Sequence, residues 1–361
     1  MMKRIKKIRK STRSNIITYG IVVLFFLTVQ LLMASGNMSS SLRGQLVPIA
    51  AYIVMAVSLN LTVGILGELS LGHAGFMSVG AFSGVIVAST LQDQIASAPV
   101  RLAISMLIGG LLAAVVGVIV GVPALRLRGD YLAIVTLAFG EIIKNIVNII
   151  YVGYDSNGLQ MGLNSAKSIE LADGGKMILN GPMGAVGITR ISTVTAGFVL
   201  IVVTLIIVLN LMHSRSGRAI MAVRDNRIAA ESVGISVTKY KLMAFVISAA
   251  LAGFAGALYA LNFSTVVAKK FDFNTSILVL VFVVLGGIGN IRGSIIAATV
   301  LTVLPELLRQ FNDYRMLIYA VILILIMIAT NNEKIKNFIN KIGFMLDLKT
   351  KNNVNKGGTA K

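Results

Sequence analysis

The sequence predicts an all-α polytopic membrane protein of about ten transmembrane helices, some of them broken or re-entrant. Apolar residues make up 56% of its 361 positions, only 13% are charged, and mean hydropathy is +0.85, well outside the globular range. Apolar windows of about 20 residues, the length that crosses a bilayer, recur along the chain. A polar, basic segment at 214–241 separates two of these windows and predicts a folded surface outside the membrane.

The apolar windows define the predicted spans. The first is longer than the h-region of a secretory signal peptide, which favours a membrane anchor, although Ala34-Ser35-Gly36 leaves a cleaved leader as the alternative. Closely spaced glycines in the third window and around 286–293 are typical of broken or re-entrant transporter helices. The predicted spans are 16–34, 46–66, 69–91, 102–125, 131–151, 191–212, 242–263, 274–288, 295–308 and 316–330.

Lys and Arg residues set the orientation, because cationic loops resist translocation. With the N-terminus inside, the basic tails at 1–15 and 331–361 and the segment 214–241 all fall in the cytoplasm, and so do Arg126, Arg128 and Arg292. The formal charge of +19 then follows from topology and contact with anionic lipid. The cations are divided among separate segments, which argues against nucleic-acid binding. The Lys- and Asn-rich end, 349–361, is typical of a disordered tail.

The longest external segment, 152–190, is rich in Gly and Asn and carries YDSNGLQMGLNS, ADGGK and NGPMGAVG in succession. It is too polar to span and too rich in turn residues for one long helix. We therefore predict an ordered extracytoplasmic loop with short elements. A docking surface for an external protein is one interpretation, and a plain connector is the other.

The cytoplasmic segment 214–241 predicts a short helix. Asp225 or Asn226 can cap a helix through 228–233, and Gly234 suits the left-handed position that ends one. Ala229 and Ala230 leave one side of this helix almost bare, which permits close approach by a partner. A hairpin that only joins two spans is the alternative. Charged contacts for an acidic groove come from four arginines: Arg215, Arg218, Arg224 and Arg227.

A known family has this pattern. Ile228-Ala229-Ala230, followed by three residues and Gly234, resembles the coupling-loop signature of ABC importer permeases, although Ile228 stands where the signature has Glu. The stretch 215–258, RSGRAIMAVRDNRIAAESVGISVTKYKLMAFVISAALAGFAGAL, is similar to the branched-chain amino-acid permease family, M-type subunit. Three more stretches support this in the same order: NLTVGILGELSLGHAGFMSVGAF at 60–82, LRLRGDYLAIVTLAFGEIIKNI at 125–146 and GGIGNIRGSIIAA at 286–298.

The resemblance implies one membrane subunit of an ATP-driven importer in a bacterial cytoplasmic membrane. Its implied partners are a homologous H-type permease, two cytoplasmic ATPases and an external solute-binding protein. The coupling residues it implies are Arg224, Asp225, Ala229, Ala230 and Gly234. Two departures stand out: Ser294 replaces the Pro that usually follows Gly293, and Asn180-Gly181-Pro182-Met183-Gly184 only approximates the usual external run.

Enzymatic chemistry is not predicted for this chain. No G-x-x-x-x-G-K-[ST] sequence occurs, and Gly174-Gly175-Lys176-Met177 lacks both the spacing and the hydroxyl of a phosphate loop. Without cysteines there is no thiolate nucleophile or disulfide, and no paired carboxylates or zinc-ligand cluster stand out. We expect no cofactor here, with ATP and Mg²⁺ bound by the partner ATPases. A stand-alone secondary transporter is the alternative class, but it more often has titratable residues in its spans.

Polar residues inside the spans are the candidates for a translocation pathway. Gly72 and Gly75 flank His73, so the helix can break there and expose backbone groups near the ring. The alternative is that His73 hydrogen-bonds a neighbouring helix and fixes packing. The residues of this first cluster are Glu68, Ser70, Gly72, His73 and Gly75.

The second polar cluster lies on the span 131–151. Glu141 and Lys144 are three residues apart and share a helix face, and Asn145 and Asn148 extend the stripe. Such a stripe can line a pathway, form a seam between subunits, or lie at the interface with Lys144 snorkelling.

Other intramembrane features predict packing. Asn60 is a lone amide that predicts a helix–helix hydrogen bond. Small residues four apart predict close helix contacts, some of them with a partner permease. These pairs are Gly80 with Gly84, Gly117 with Gly121, Gly253 with Ala257, and Gly289 with Gly293.

Overall fold

A computed structural model describes residues 10–36, 39–127, 129–156, 158–163, 169, 171, 175–309 and 314–331. The basic tail up to residue 9, Arg128 and the tail from 332 onward, including the predicted disordered end, lie outside the described residues. Two compact units divide between Val303 and Leu304. The second contains the end of the eleventh helix and the twelfth.

Helices dominate the described residues. The second helix continues as a π-helical turn at Leu61–Leu66. Twelve α-helices lie in the described ranges: α1 Lys10–Ala34, α2 Ser40–Asn60, α3 His73–Thr90, α4 Ala98–Ala124, α5 Asp130–Ile149, α6 Val194–His213, α7 Arg215–Asp225, α8 Arg227–Ser232, α9 Val237–Ala260, α10 Phe273–Gly286, α11 Ile291–Leu307 and α12 Arg315–Asn331.

Six helices in the described part of the chain are long and apolar enough to cross a membrane. They are Ser40–Leu66, His73–Thr90, Ala98–Ala124, Tyr131–Ile149, Val194–His213 and Val237–Ala260. The apolar stretches Thr18–Ala34 and Phe273–Gly286 are shorter. A multi-pass helical membrane protein is therefore confirmed, whereas the number of ten spans is not. The helix α10, for example, is too short to be counted among the six, because its 14 residues rise only about 21 Å.

The structure has a break near each predicted interruption, although the first one precedes His73 and leaves Gly75 inside α3. The π turn ends at Gly67, whose φ of 80° is left-handed, and residues 67–72 are not helical before α3 begins at His73. Between α10 and α11, Gly287 and Gly289 have φ of 92° and 82°. An L-residue rarely adopts these angles, so glycine permits both breaks.

Glycines bring α3, α4 and α9 into close contact. A Cβ on Gly80 would overlap the Gly253 backbone of α9, and one on Gly84 would meet Ala257. Gly117 of α4 similarly faces Ala249 of α9, with its Cβ position 2.7 Å from the alanine methyl. These predicted small-residue pairs therefore pack inside the chain, not on a seam with a second permease.

The Gly80→Ala variant is expected to lower the free energy of unfolding by about 1–3 kcal/mol, because α3 and α9 must separate to admit the methyl group. Denaturant titration of the purified protein in detergent measures this. Gly44→Ala in α2 is the matched control, since a Cβ there meets nothing within 4 Å. We expect that variant to be as stable as the wild type or slightly more stable. Equal losses in both variants would contradict the close contact.

The segment after α5 forms a small antiparallel sheet, so the all-α prediction is wrong for this part. Its strands are β1 Ile150–Asp155, β2 Gly158–Leu163, β3 Lys176–Asn180, β4 Ala185–Val186 and β5 Thr265–Val266, in the order β2-β1-β3-β4-β5. In the register of β1 and β2, Ile150 lies opposite Leu163. The last strand comes from beyond α9 and ties the two segments together. Short ordered elements in the predicted loop 152–190 are thus confirmed for its described residues.

Candidate functional site

The segment between α6 and α9 folds as two short helices with defined ends. Asn226 begins α8, because its side chain accepts a hydrogen bond from the Ala229 N–H at 3.0 Å. At the other end, the Ile235 N–H donates to the Ala230 carbonyl at 3.0 Å, and Gly234 has a φ of 84°. This is a Schellman ending with glycine in the left-handed position. The predicted helix is therefore confirmed, and Asn226, not Asp225, is its cap.

Ala230 holds α8 against its neighbours. It is 4% exposed and packs with Val223 of α7 and Val237 of α9, and Ile235 covers the cluster. The expectation that Ala230 offers a bare surface is therefore wrong. A short amphipathic helix needs tertiary contacts to be stable, and this alanine supplies them.

The opposite side of α8 is open and apolar. Ala229 is exposed, and Ile228 and Val233 are 80% and 74% exposed. Arg227 pairs with Glu231 one turn along at 3.1 Å, which adds helix support. We name Ile228, Ala229 and Val233 the α8 face. It combines low side-chain bulk at one position with large exposed apolar groups at two others, an arrangement suited to a partner's pocket.

Arg224 links α7 to the π turn. Its Nη1 donates to the Gly64 carbonyl at 3.0 Å, while Nε and Nη2 donate to Asp225 Oδ1 at 3.0 and 2.8 Å. The stem of the side chain lies over Gly67, where a Cβ would contact it. Arg224 therefore connects α7 to the π turn that continues α2, and it also lies partly at the surface.

A second link is the ion pair between Glu68 and Lys241. The two side chains are 13% and 9% exposed, so the charges are largely removed from solvent. Glu68, a predicted pathway residue, pairs its carboxylate with Lys241 near the start of α9. The two residues are far apart in sequence, and no local pattern pairs them.

Asn60 connects α2 to the break between α10 and α11. Its Oδ1 accepts from the Gly289 N–H at 2.8 Å, and its Nδ2 donates to Ser294 Oγ at 2.8 Å. The predicted helix–helix hydrogen bond of Asn60 is therefore confirmed. Gly64 lies one turn after Asn60, and because it has no side chain the Gly289 backbone can pack directly against it.

Asn60→Leu is expected to lower the free energy of unfolding by about 1–3 kcal/mol, since two hydrogen bonds between buried segments are lost. The same substitution at Asn145, which is exposed on α5, is the control. We expect it to change stability by less than about 0.5 kcal/mol. Thermal or denaturant unfolding in detergent compares the two, and a similar loss at both sites would contradict the assignment.

His73 is buried at the start of α3. Its Nε2 lies 2.7 Å from Ser58 Oγ of α2, and the backbone N–H of Ala74 donates to Ser276 Oγ of α10 at 3.1 Å. This geometry fits the packing interpretation of His73. Ser70 is also buried, and its hydroxyl has no hydrogen-bond partner among the described residues.

The break before α3 packs directly on α5. The Leu71 N–H donates to Thr136 Oγ1 at 3.1 Å, and a Cβ on Gly72 would overlap the Thr136 carbonyl. Gly75 faces Gly140 in the same way. The two glycines therefore serve close packing at this point, and the non-helical segment 67–72 is held between α2, α5 and α9.

The polar stripe of α5 lies partly at the surface. Glu141 and Lys144 form the predicted ion pair, and Asn145 is exposed beside them. Glu141 also lines a cavity of about 10 Å³ together with Gly75, Asp272 and Ser276. The structure thus brings one member of each predicted cluster together, around a space that is large enough for about one water molecule and too small for an amino acid.

Across the described ranges, no group of three or more His, Cys, Asp or Glu residues is placed to hold a metal ion. The arrangement consists of a short helix with an open apolar face and two polar links from its neighbours, α7 and α9, to the broken helix.

Comparison with known proteins identifies the family. Residues 41–328 match the family described as branched-chain amino acid transport system / permease component, and the chain belongs to this family of multi-pass membrane transport subunits. It is 36% identical over 288 residues to the high-affinity branched-chain amino acid transport system permease protein LivM of Salmonella typhimurium. That alignment covers 77% of this chain and 66% of the relative, slightly less than two thirds of its length.

More distant relatives differ in the solute that their names give. The probable LivM of Methanocaldococcus jannaschii is 24% identical, with 67% of this chain and 74% of the relative covered. The ribose import permease protein RbsC of Escherichia coli is 25% identical, with 78% of this chain and 82% of the relative covered. No solved structure matches the chain.

Proposed function

We propose that this chain is the membrane-spanning permease subunit of an ATP-driven importer and forms half of a translocation pathway for branched-chain amino acids. The observation that carries the proposal is α8, a capped and exposed helix between two spans of a chain in this permease family. The names of the LivM relatives support the solute class.

The proposed assembly contains an H-type permease, two ATPases that bind ATP and Mg²⁺, and an external solute-binding protein. The ATPases would dock on the α8 face from the cytoplasm, where both termini of a single permease domain, 16–330, would also lie. The binding protein would meet the sheet β1–β5. The 20 residues of α6 connect that sheet to α7 and rise about 30 Å, which supports opposite membrane sides for the two surfaces.

The proposed transmission route begins at α8 and ends at the broken helix. Arg224 would carry a movement of α7 to Gly64, and Lys241 would carry a movement of α9 to Glu68. The segment 67–72 would then rearrange between two packings, since packed elements switch more readily than they deform. Ser70, Gly72, His73 and Gly75 would line the opened pathway together with Glu141, Lys144 and Asn145 of α5.

A second candidate is a permease for another small solute, such as a sugar, urea or a short amide. The similarity of this chain to the ribose import permease supports this second candidate. A stand-alone secondary transporter is the third candidate function, and it requires no ATPase.

Co-purification and transport assays distinguish these candidate functions. The tagged full chain, solubilised from its native membrane in mild detergent, is expected to bring down a second permease and ATPases, which mass spectrometry identifies. Uptake of radiolabelled leucine by the reconstituted complex then tests the solute, with ribose and urea as competitors. Recovery of the chain alone would overturn the importer, and inhibition by ribose but not by isoleucine or valine would overturn the branched-chain assignment.

A further inference from the structure

An apolar cavity of about 220 Å³ lies between α1, α2, α6 and α11. Among the described residues that line it, only Thr299 has a polar side chain, and its hydroxyl donates to the Ile295 carbonyl at 2.8 Å. The walls therefore offer no open hydrogen-bonding group. A buried water needs two to four polar partners, so water is a poor occupant.

The cavity is accessible from the side of the bundle. Ile296 and Val300 of α11 line it and are both exposed. Phe26 of α1 and Phe198 of α6 also line the cavity; their rings stack with centroids 4.1 Å apart and join the two helices. In a membrane-spanning chain, the medium that meets such an opening is lipid hydrocarbon.

The cationic side chain of Arg292 lies near one end of the cavity. Arg292, in the first turn of α11, donates from Nε to Thr18 Oγ1 of α1 at 2.7 Å. From this contact both helices lead into the cavity, as Ile295 and Val300 follow on α11 and Ile21 and Val29 follow on α1. With a rise of 1.5 Å per residue, the lining begins about 5 Å along the helix axes from Arg292 and Thr18 and ends about 12–16 Å from them.

This order of groups matches a phospholipid lying along the helices, with phosphate at the cation and hydrocarbon in the cavity. Arg binds phosphate through its planar fork, and basic sites between transmembrane helices favour anionic head groups. We propose that the cavity holds one acyl chain of an anionic phospholipid whose phosphate contacts Arg292. The lipid would then fix α1 to α11 where the protein alone leaves a gap.

The chain has no tryptophan, so a single Trp is a unique fluorescent reporter. Phe25→Trp places it in the cavity wall, and Leu111→Trp places a control on the exposed face of α4. Each full-length variant is reconstituted in bilayers containing either dibrominated phosphatidylglycerol or dibrominated phosphatidylcholine at equal mole fraction. We expect the cavity reporter to prefer the anionic lipid by about fivefold, the ratio that one interfacial cation corresponds to. The α4 reporter should show no preference.

Two further variants in the Phe25→Trp background test the assignment of each part. Arg292→Gln should remove the preference while Arg292→Lys keeps it, and Val300→Phe should reduce quenching by both lipids because the added ring fills the cavity. Equal quenching by the two lipids would mean ordinary contact with the bilayer and would overturn the proposal. Absence of quenching by either lipid would mean that protein fills or covers the cavity, and would overturn it as well.

Discussion

Replacing Lys241 by methionine is expected to lower the free energy of unfolding by about 3–5 kcal/mol. Methionine keeps most of the length of the side chain but leaves the Glu68 carboxylate, only 13% exposed, without its counter-ion. An unpaired charge in such a place costs far more than the pair contributes, because its desolvation is no longer offset. Denaturant titration of the purified variant in detergent micelles measures the loss.

The double variant Glu68→Leu with Lys241→Met separates charge from packing. With both charges gone, we expect stability to return to within about 1 kcal/mol of the wild type. Arg227→Met is the control for a surface pair, since Arg227 and Glu231 are both more than one-third exposed, and should cost less than about 1 kcal/mol. A double variant as unstable as Lys241→Met would show that the unpaired charge of Glu68 is not the cause of the loss, and would contradict the prediction.

Local features of the fold were predictable from the sequence. Apolar windows located the long helices because a span needs about 20 apolar residues wherever it lies. The cap at Asn226 and the left-handed Gly234 were also predictable, because each depends only on hydrogen bonds between residues a few positions apart. The glycines at 286–293 likewise indicated the break at 287–290, whereas the break near the third span lies at 67–72, before His73, and Gly75 is inside α3.

Features that depend on distant partners were not predictable in this way. The strand β5 pairs with β4 across four intervening helices, so no local alternation revealed the sheet. Glu68 meets Lys241, and Asn60 meets Gly289, only because the helices between them pack as they do. The burial of Ala230 depends on the packing of α7 and α9 around α8, which its own sequence does not fix.

Substitution of Ala229 by tyrosine is expected to lower leucine uptake by the reconstituted complex roughly tenfold or more. Ala229 is the exposed alanine of the α8 face, and its small side chain would let an ATPase approach the helix backbone closely. A tyrosine there would hold the two proteins apart without disturbing α8, because Ala229 is exposed and does not belong to the cluster around Ala230. Co-purification of the ATPase should fall with uptake, while the amount of inserted protein stays unchanged.

Ala229 is a better test of coupling than Ala230 or Gly234. A bulky residue at Ala230 would overpack Val223 and Val237 and cost about 1–3 kcal/mol, so a loss of uptake there would also report misfolding. A side chain at Gly234 would strain a left-handed φ of 84°. Lys239→Tyr, in the exposed first turn of α9, is the matched control and should keep uptake within about twofold of wild type. If Ala229→Tyr transports as well as that control, α8 does not dock the ATPase, and the energy of ATP hydrolysis must enter the chain elsewhere.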